Sequence, residues 1–574
     1  MTGRLLLLIL GGVITMCAAS AQENLARSAK ASASESYSDL TPDKANDGVM
    51  ESRWSAIPGH NEGVWYQLEW PADVTVAEVV IHQYDRYVWE LDLQAWDAER
   101  GAWRTLRHAG REGHSLPRVV VIRCEPVATR KLRIANITHG PSFTEVQVFS
   151  DPMAIPVQAY LASDLRGNFI GVVSDSLGAM PVPGAKVTLA GGSEGGTWHS
   201  EATADEHGIF TAPMPYTLSG DVSVSVETMG VTRRQSVDSL DFQYGLTPIP
   251  ATGVTTLDGT WRFCPDPPDG FWEASFEDSN WTDLETPSHW VMKGFSSKTG
   301  VGGYRRRFRA PDGEGRLKLR FEGVYSGAEV WINGTLVARH DGGATPFEAD
   351  VTESVREGDN LIAVRATEHT PCSDELDRMS YYASFPLGGI YRSVSLFRVP
   401  DVHVVLMEAH TEFDEYYRDA TVVARVAVAN ASAKQANTMV SMSLIDAVGN
   451  RVAAGEEPVP LALTAWGREE ATFRIAVRAP RKWDAEHPYL YTLRATLSPG
   501  EVHTDIPFGF RQTEVKGSEV LINGRPVKFK GTCHHDQHPL MGRAVTEELT
   551  ERDLTMMKQA NLNAVRTSHY PPVP

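Results

Sequence analysis

The sequence is poor in four things, and each scarcity closes off a class of answer. Cysteine occurs five times in 574 residues, at Cys17, Cys124, Cys264, Cys372 and Cys533, widely separated and with no Cys-x-x-Cys spacing. That excludes a disulfide framework, although a single bridge stays open. Positive charge is short: 54 Lys plus Arg against 73 Asp plus Glu, a net charge of −19. An acid excess of this size repels a phosphate backbone, no basic stripe reverses it locally, and nucleic acid is excluded as a partner. It also disfavours anionic membranes, leaving neutral or weakly charged ligands as the open class. Long apolar runs are missing after Val13, so no later segment is of spanning length and no membrane insertion is expected. Helical periodicity is scarce until the last stretch of the chain.

What is present is organised in modules. Arg4, the apolar run Leu5 to Val13 and the small-residue sequence Ala19-Ser20-Ala21 have the form of a secretory signal peptide, residues 1–21. The run is too short and too interrupted by Gly11 and Gly12 for an anchor, and Met16 ahead of Cys17 is too bulky for a lipidation site. Export to the periplasm or the extracellular space is expected. Beyond it, Val74 to His82, Leu317 to Phe321, Val330 to Asn333 and Val422 to Val428 place apolar residues at alternate positions, and Val119 to Ile122 is a short continuous apolar run. Period-two runs broken by turns mean sandwiches or barrels. At roughly 100–200 residues per domain, three to five domains are expected, with boundaries near residues 152, 250, 400 and 510.

Residues 24–151 open with Asn24-Leu25-Ala26, continue through Ala45-Asn46-Asp47-Gly48, Arg53-Trp54-Ser55 and Trp65-Tyr66-Gln67-Leu68, and close with Phe143-Thr144-Glu145-Val146-Gln147-Val148-Phe149. This ordered set resembles the discoidin, or coagulation-factor type C, family, which includes family 32 carbohydrate-binding modules. The resemblance implies a jelly roll with a structural calcium held by oxygen atoms, Asp47 and Glu145 standing where the family's side-chain ligands lie. The alternative, that Asp47 only caps a turn beside Gly48, stays open. Trp65, Tyr84, Tyr87 and Trp89 are the candidates for stacking on a sugar, with burial in the sandwich the competing use of each ring. Residues 165–230 carry Gly171-Val172-Val173-Ser174-Asp175, Pro181-Val182-Pro183-Gly184-Ala185 and Gly208-Ile209-Phe210. They resemble the carboxypeptidase regulatory-like sandwich, which implies a spacer.

Residues 252–400 run through Asp258-Gly259-Thr260-Trp261-Arg262-Phe263, Pro287-Ser288-His289-Trp290, Gly303-Tyr304-Arg305-Arg306-Arg307-Phe308, Val330-Trp331-Ile332-Asn333-Gly334 and Gly388-Gly389-Ile390-Tyr391-Arg392. This set is similar to the sugar-binding jelly roll of glycoside hydrolase family 2. Residues 401–508, with Trp483 and Pro488-Tyr489-Leu490-Tyr491, resemble the immunoglobulin-like domain that follows it there.

From residue 509 the texture changes. A hairpin signal at Asn523-Gly524 precedes the strand Val527-Lys528-Phe529-Lys530-Gly531, which ends in Thr532-Cys533-His534-His535-Asp536-Gln537-His538-Pro539. A helix follows, with Thr550 as its expected cap and Asp553 three residues on, then the strand Asn563-Ala564-Val565-Arg566 and the loop Thr567-Ser568-His569-Tyr570-Pro571. Strand, polar loop, helix, strand and loop form the start of an α/β barrel, whose functional groups sit at the C-terminal strand ends. These strand ends resemble the first two of the family 2 catalytic barrel, closest to β-galactosidases. The resemblance implies that His535, Asp536 and His569 line a sugar pocket, and that Arg566 holds a nucleophilic carboxylate ionised and oriented. Two other readings of His534, His535, Asp536 and His538 are a metal site and a structural cluster. The metal reading lacks helix-face spacing and a Cys/His partner set.

A retaining glycosidase needs two carboxyls about 5–5.5 Å apart; in family 2 both are glutamates on later barrel strands. About 60 residues of barrel precede Pro574 where a whole one takes roughly 250, and the only Asn-Glu pair after the signal, Asn61-Glu62, lies in the first module. The expectation is therefore a mainly β, multi-domain chain. Jelly-roll and immunoglobulin-like sandwiches precede a truncated (β/α)8 barrel, with no catalytic residue in this chain, both glutamates beyond Pro574 and no activity alone. No catalytic cofactor is implied. The partner is carbohydrate, and oligomeric state is left open. Tyr381 to Leu387 offers no acid where β-galactosidases supply one, though Asp374, Glu375 and Asp377 lie upstream, so β-glucuronide and β-mannoside stay open as substrates. The rival class is a non-catalytic exported carbohydrate-binding protein.

Overall fold

The computed structural model describes residues 23–574 apart from 60–62, 85–87, 111–115, 117, 140, 152–156, 165, 176–180, 243–244, 251, 371–372, 374–386, 456, 569, 571 and 573–574. The expected signal peptide, Asn61-Glu62, Tyr87, the three upstream acids near residue 375 and His569 thus lie outside the described residues. Within the described residues the chain is β-rich, and no helix is long and apolar enough to cross a membrane.

The first unit is a seven-stranded sheet built on two long strands, Val64–Gln83 and Val119–Ile137, which pair antiparallel. Their register breaks between Val64 and Tyr66, Glu69 and Val74, and Val76 and Glu78; such irregularities bend a strand so that one segment serves a curved sheet. The core centres on three rings: Trp54 lies 5.3 Å from Tyr66 and 5.2 Å from Phe143, and the latter two are 6.1 Å apart.

The second unit packs a four-stranded sheet containing Lys186–Ser193 and Ser219–Thr228 against a three-stranded one containing Asn168–Asp175. It takes in Val157–Ser163 and Val231–Asp238 as strands, so it is wider than the 165–230 read from sequence. The last strand has Thr232-Arg233-Arg234-Gln235 at its centre, so the alternation that Val231 and Val237 begin and end, both packed on the core, is interrupted between them.

The third unit is a jelly roll whose six-stranded sheet runs Thr282–Thr286, Gly259–Pro265, Val301–Arg309, Asp359–Thr367, Gly327–Ile332, Thr335–Asp341 in spatial order. Asn333 and Gly334, at φ 52° and 88°, make the expected tight hairpin. A four-stranded sheet containing Arg316–Phe321 shares its core through Leu317, Leu319 and Phe321. The fourth unit is a two-sheet sandwich from Val402–Phe413 to Val502–Phe508.

The chain ends in a βαβ unit. Gly531–His534 and Ala564–Thr567 pair in parallel, joined by the helix Glu547–Gln559. The expected cap is corrected: Thr546, not Thr550, accepts from the Leu549 N–H at 3.4 Å, while Thr550 sits in the first turn donating to the Thr546 carbonyl. Both threonines head similar sequences. The earlier one wins because the chain leaves its loop at Ala544, which is buried against Tyr325 and Tyr391, and helix begins at once with Glu547 and Glu548 favoured at its positive end.

Replacing Phe143 with Ala empties the centre of the first aromatic trio. We expect the first unit to lose about 3–5 kcal/mol, measured as an earlier calorimetric transition with the other domains' transitions unmoved.

Candidate functional site

The parallel pairing sets Cys533 opposite Arg566 and His534 opposite Thr567, and the Ser568 N–H donates to the His534 carbonyl at 3.0 Å. The C-terminal ends of both strands therefore open side by side, with His535 and Asp536 leaving one and Ser568 the other. His535 is exposed, Asp536 half-buried and Ser568 buried. The imidazole of His534, which sequence reading gave no separate role, ties the cluster together. Its Nδ1 lies 3.3 Å from Asp536 Oδ1 and its Nε2 3.0 Å from Asp553 Oδ2. Asp553 thus faces the strand end rather than capping the helix. The Asp536 N–H donates to Tyr570 Oη at 2.5 Å, and that hydroxyl donates to the His534 carbonyl at 3.3 Å. Burial, reinforced by Asp536, pushes the Tyr570 phenol up, so it stays neutral and able to donate. Arg566 is exposed, its Nη1 donating to Ser568 Oγ at 3.2 Å. Among the described residues no group of three or more His, Cys, Asp and Glu is placed to hold a metal ion.

A wall comes from the jelly roll. Gly542, at φ 61°, lies so close that a side chain there would meet His289 at 2.8 Å and Leu387 at 2.9 Å. The Arg543 guanidinium stands 5.0 Å over the Tyr325 ring. The His289 ring stacks on Tyr391 at 5.1 Å and 16°, and Tyr391 feels the negative charge of Asp536. The motifs Pro287-Ser288-His289-Trp290 and Gly389-Ile390-Tyr391-Arg392, read from sequence only as family markers, thus bring their side chains to the barrel strand ends. Such a surface can hydrogen-bond hydroxyl groups. It carries no pair of glutamates on its two strands, Gly531-Thr532-Cys533-His534 and Ala564-Val565-Arg566-Thr567.

In the first unit, Glu145 is 1% exposed and accepts from the Gly48 N–H at 3.0 Å and from Asn24 Nδ2 at 3.3 Å. Burial, with a contribution from nearby Asp47, raises its pKa. Asp47 is tied to Ser52, which sequence reading missed. The Ser52 hydroxyl lies 2.9 and 2.7 Å from the two Asp47 carboxylate oxygens, 3.0 Å from the Lys44 carbonyl and 2.8 Å from the Val49 carbonyl. One hydroxyl proton cannot serve four acceptors; Asp47 Oδ1 also accepts from the Val49 N–H at 2.8 Å, the turn-capping contact of the alternative reading, and the remaining oxygens are of the kind a hard cation takes. Of the stacking candidates, Tyr84 and Trp89 are 44% and 37% exposed. Arg53 covers one face of Tyr84 at 3.6 Å, and His139 stacks on Trp89 at 4.4 Å. Trp65 is half-buried, with Arg133 4.4 Å over its ring.

Three family models match in series. Residues 295–400 match the sugar binding domain of glycosyl hydrolases family 2, residues 402–511 the model described as glycosyl hydrolases family 2, and residues 513–574 that family's TIM barrel domain. Residues 295–574 are therefore similar, segment by segment, to domains of glycosyl hydrolases family 2. Among curated relatives, a β-galactosidase of Kluyveromyces lactis is 31% identical over 367 residues, covering 55% of this chain and 35% of the relative. One of Vibrio vulnificus is 29% identical over 346 residues, covering 55% and 33%. The chain spans about a third of the length of these relatives. Among solved structures, a family 2 member from Bacteroides cellulosilyticus superposes with TM-score 0.50 at 26% identity, covering 56% of this chain and 45% of its own. Bacteroides uniformis β-glucuronidase 2 does so with TM-score 0.50 at 26% identity, covering 55% and 40%.

Burial pushes the His289 and His340 imidazoles down to about 4 and that of His403 to about 3, with Arg543 adding to the effect at His289. Between those values and about 6.5 the unfolded chain binds more protons than the folded one, so stability rises with pH across that window and is lost as pH falls through it. Thermal unfolding of the jelly roll should therefore fall from pH 7 to pH 4.5. His289→Phe, which keeps the ring stack without the titration, should flatten that slope; an unchanged slope contradicts the assignment.

Proposed function

We propose that these domains serve an exported, retaining glycoside hydrolase that cleaves terminal β-glycosidic bonds, with β-galactosides as the first choice of substrate. The observation that carries the reading is the parallel strand pair that sets His535 and Asp536 beside Ser568. In this reading His535, Asp536 and His569 hold sugar hydroxyls and Arg566 orients the nucleophile. The two glutamates, one acid/base and one nucleophile, stand on barrel strands following residue 574. Supporting this, the βαβ unit leaves Phe529 58%, Met556 56%, Leu554 48% and Val565 44% exposed, surfaces that a closed barrel covers. The curated relatives named above favour galactosides, and the Bacteroides uniformis structure gives β-glucuronides a second place. β-Mannosides are third.

The 574-residue chain should leave chromogenic β-galactoside, β-glucuronide and β-mannoside unhydrolysed. The same chain extended through the remainder of its reading frame, with two strand-end glutamates, should turn over the galactoside fastest. Clear turnover by the 574 residues alone overturns the two-glutamate reading, and a frame without those glutamates makes the protein a carbohydrate binder.

Residues 1–21 are its export signal in this reading, the unit around 165–230 is a spacer, and the first unit is a discoidin-like carbohydrate-binding module. Asp47 and Glu145, joined by Ser52, would hold a structural calcium there, and Tyr84 and Trp89 would offer ring faces to sugar. Calcium bound only by the folded module stabilises it by about 2.7 kcal/mol at a hundredfold excess over Kd. Its unfolding midpoint should therefore rise with calcium in the wild type and stay fixed in Asp47→Ala; no rise in the wild type removes the site.

A further inference from the structure

The sequence places three arginines in a row, Arg305-Arg306-Arg307, inside one strand. Strand geometry sends Arg305 and Arg307 to one face and Arg306 to the other. The register puts Arg305 directly opposite Arg262 on the neighbouring strand Gly259–Pro265, so three guanidiniums gather on one face of the six-stranded sheet. They border a cavity of about 340 Å³ lined by Thr260, Arg262, Asp283 and Arg305 to Arg307. That volume is at the lower end of the ~300–1,000 Å³ typical of small-ligand clefts.

Two of the three guanidiniums on that face are paired with carboxylates and the third is not. Arg262 Nη1 pairs with Asp283 Oδ1 at 2.6 Å, and its Nη2 donates to the carbonyls of Asp278, Ser279 and Trp281. Arg305, 1% exposed, donates to Asp278 Oδ2 at 2.7 Å and to the carbonyls of Phe276 and Glu273, and its buried Nε has no partner. Arg306 reaches three carbonyls, those of Leu257, Asp258 and Thr260. Arg307 is exposed, with no hydrogen bond or ion pair among the described residues, and its charge is felt by Arg305. Arg262 and Arg305 are thus each matched by a carboxylate, Asp283 and Asp278, while Arg307 on the same face has none among the described residues. Like charges held this close repel unless an anion relieves them. The planar guanidinium fork matches a carboxylate, sulfate or phosphate bidentately.

We propose that this cavity on the jelly-roll sheet binds the anionic substituent of an acidic saccharide, a uronate carboxylate or a sulfate ester, with Arg307 as the free guanidinium that captures it. The anion chemistry rests on the arginines; the choice of a saccharide rests on the sugar-binding reading of residues 295–400.

The test uses the 574-residue chain and titration calorimetry at low salt, with four probes: an oligogalacturonide, a sulfated galactan oligosaccharide, its desulfated counterpart and sodium sulfate. At least one acidic oligosaccharide should bind, the desulfated one should not, and Arg307→Glu should weaken binding roughly tenfold or more. Arg307→Lys should fall between, because a lysine cannot bind bidentately. Arg307 is exposed and unpaired, so both variants should keep the wild-type unfolding midpoint. Binding of uronate but not sulfate ester, or the reverse, assigns the substituent. Arg307-dependent binding of inorganic sulfate alone overturns the saccharide choice and leaves the anion site. Binding that survives Arg307→Glu, or no binding of any anion, overturns the proposal while leaving the hydrolase reading untouched.

Discussion

The arrangement of the domains turns on a charge cluster buried beneath the outer face of the jelly-roll strand Arg316–Phe321. Lys318 lies 3.4 Å from Asp350 and 3.8 Å from Glu348, and Arg320 lies 2.7 Å from Glu348. All but Asp350 have almost no exposed side-chain surface. Burial works against the Lys318 ammonium, and Tyr216, Glu348 and Asp350 more than offset it, holding its pKa above the ordinary lysine range. What covers the cluster comes from elsewhere in the chain. Tyr216 arrives from the second unit, its ring 5.8 Å from the Lys318 ammonium and its hydroxyl 3.2 Å from His403 of the fourth. Thr247 of the linker donates to Glu348 at 2.7 Å. Removing one member of such a set strands a charge away from water, which costs about 3–5 kcal/mol in buried pairs. Three units therefore meet through groups that cannot be exposed singly.

The same cluster marks the limit of what alternation reveals. Leu317, Leu319 and Phe321 read as an inward face, and they are one. Lys318 and Arg320 then read as solvent-facing, yet they are nearly as buried, because a neighbouring unit covers the second face. Period-two patterning reports one strand's own sheet, and says nothing about which other domain will lie over it. The strand Val231–Asp238 fails for the complementary reason: at the sheet edge only its ends, Val231 and Val237, pack on the core, and Arg233 and Gln235 interrupt the apolar face between them.

The site divides in the same way. That His535 and Asp536 would lie near the Arg566 strand followed from strand, helix and strand, because a parallel pair with a crossover helix brings its C-terminal ends together. His534 could not be ranked beside them from sequence, since its value lies in a bridge to Asp553, nineteen residues on and across the crossover. Ser52 was invisible for a similar reason. A serine in a turn carries no metal signal by itself, and becomes informative only when four oxygens close around its single proton.

The strand-end surface is also shaped by two domains at once. The polar groups at the strand ends are few and partly exposed, and the jelly roll supplies the wall beside them through His289, Tyr391 and the contact of Tyr325 with Arg543. A loop held by a glycine at φ 61° against His289 leaves almost no room for independent movement of the two surfaces. A change that enlarges Gly542 in this loop, or that shifts His289 on the jelly-roll edge, therefore bears on the loop that carries His538 and, through it, on the strand end bearing His535 and Asp536. The jelly roll and the βαβ unit share one packed boundary, so the shape of the strand-end surface cannot be assigned to the barrel strands alone.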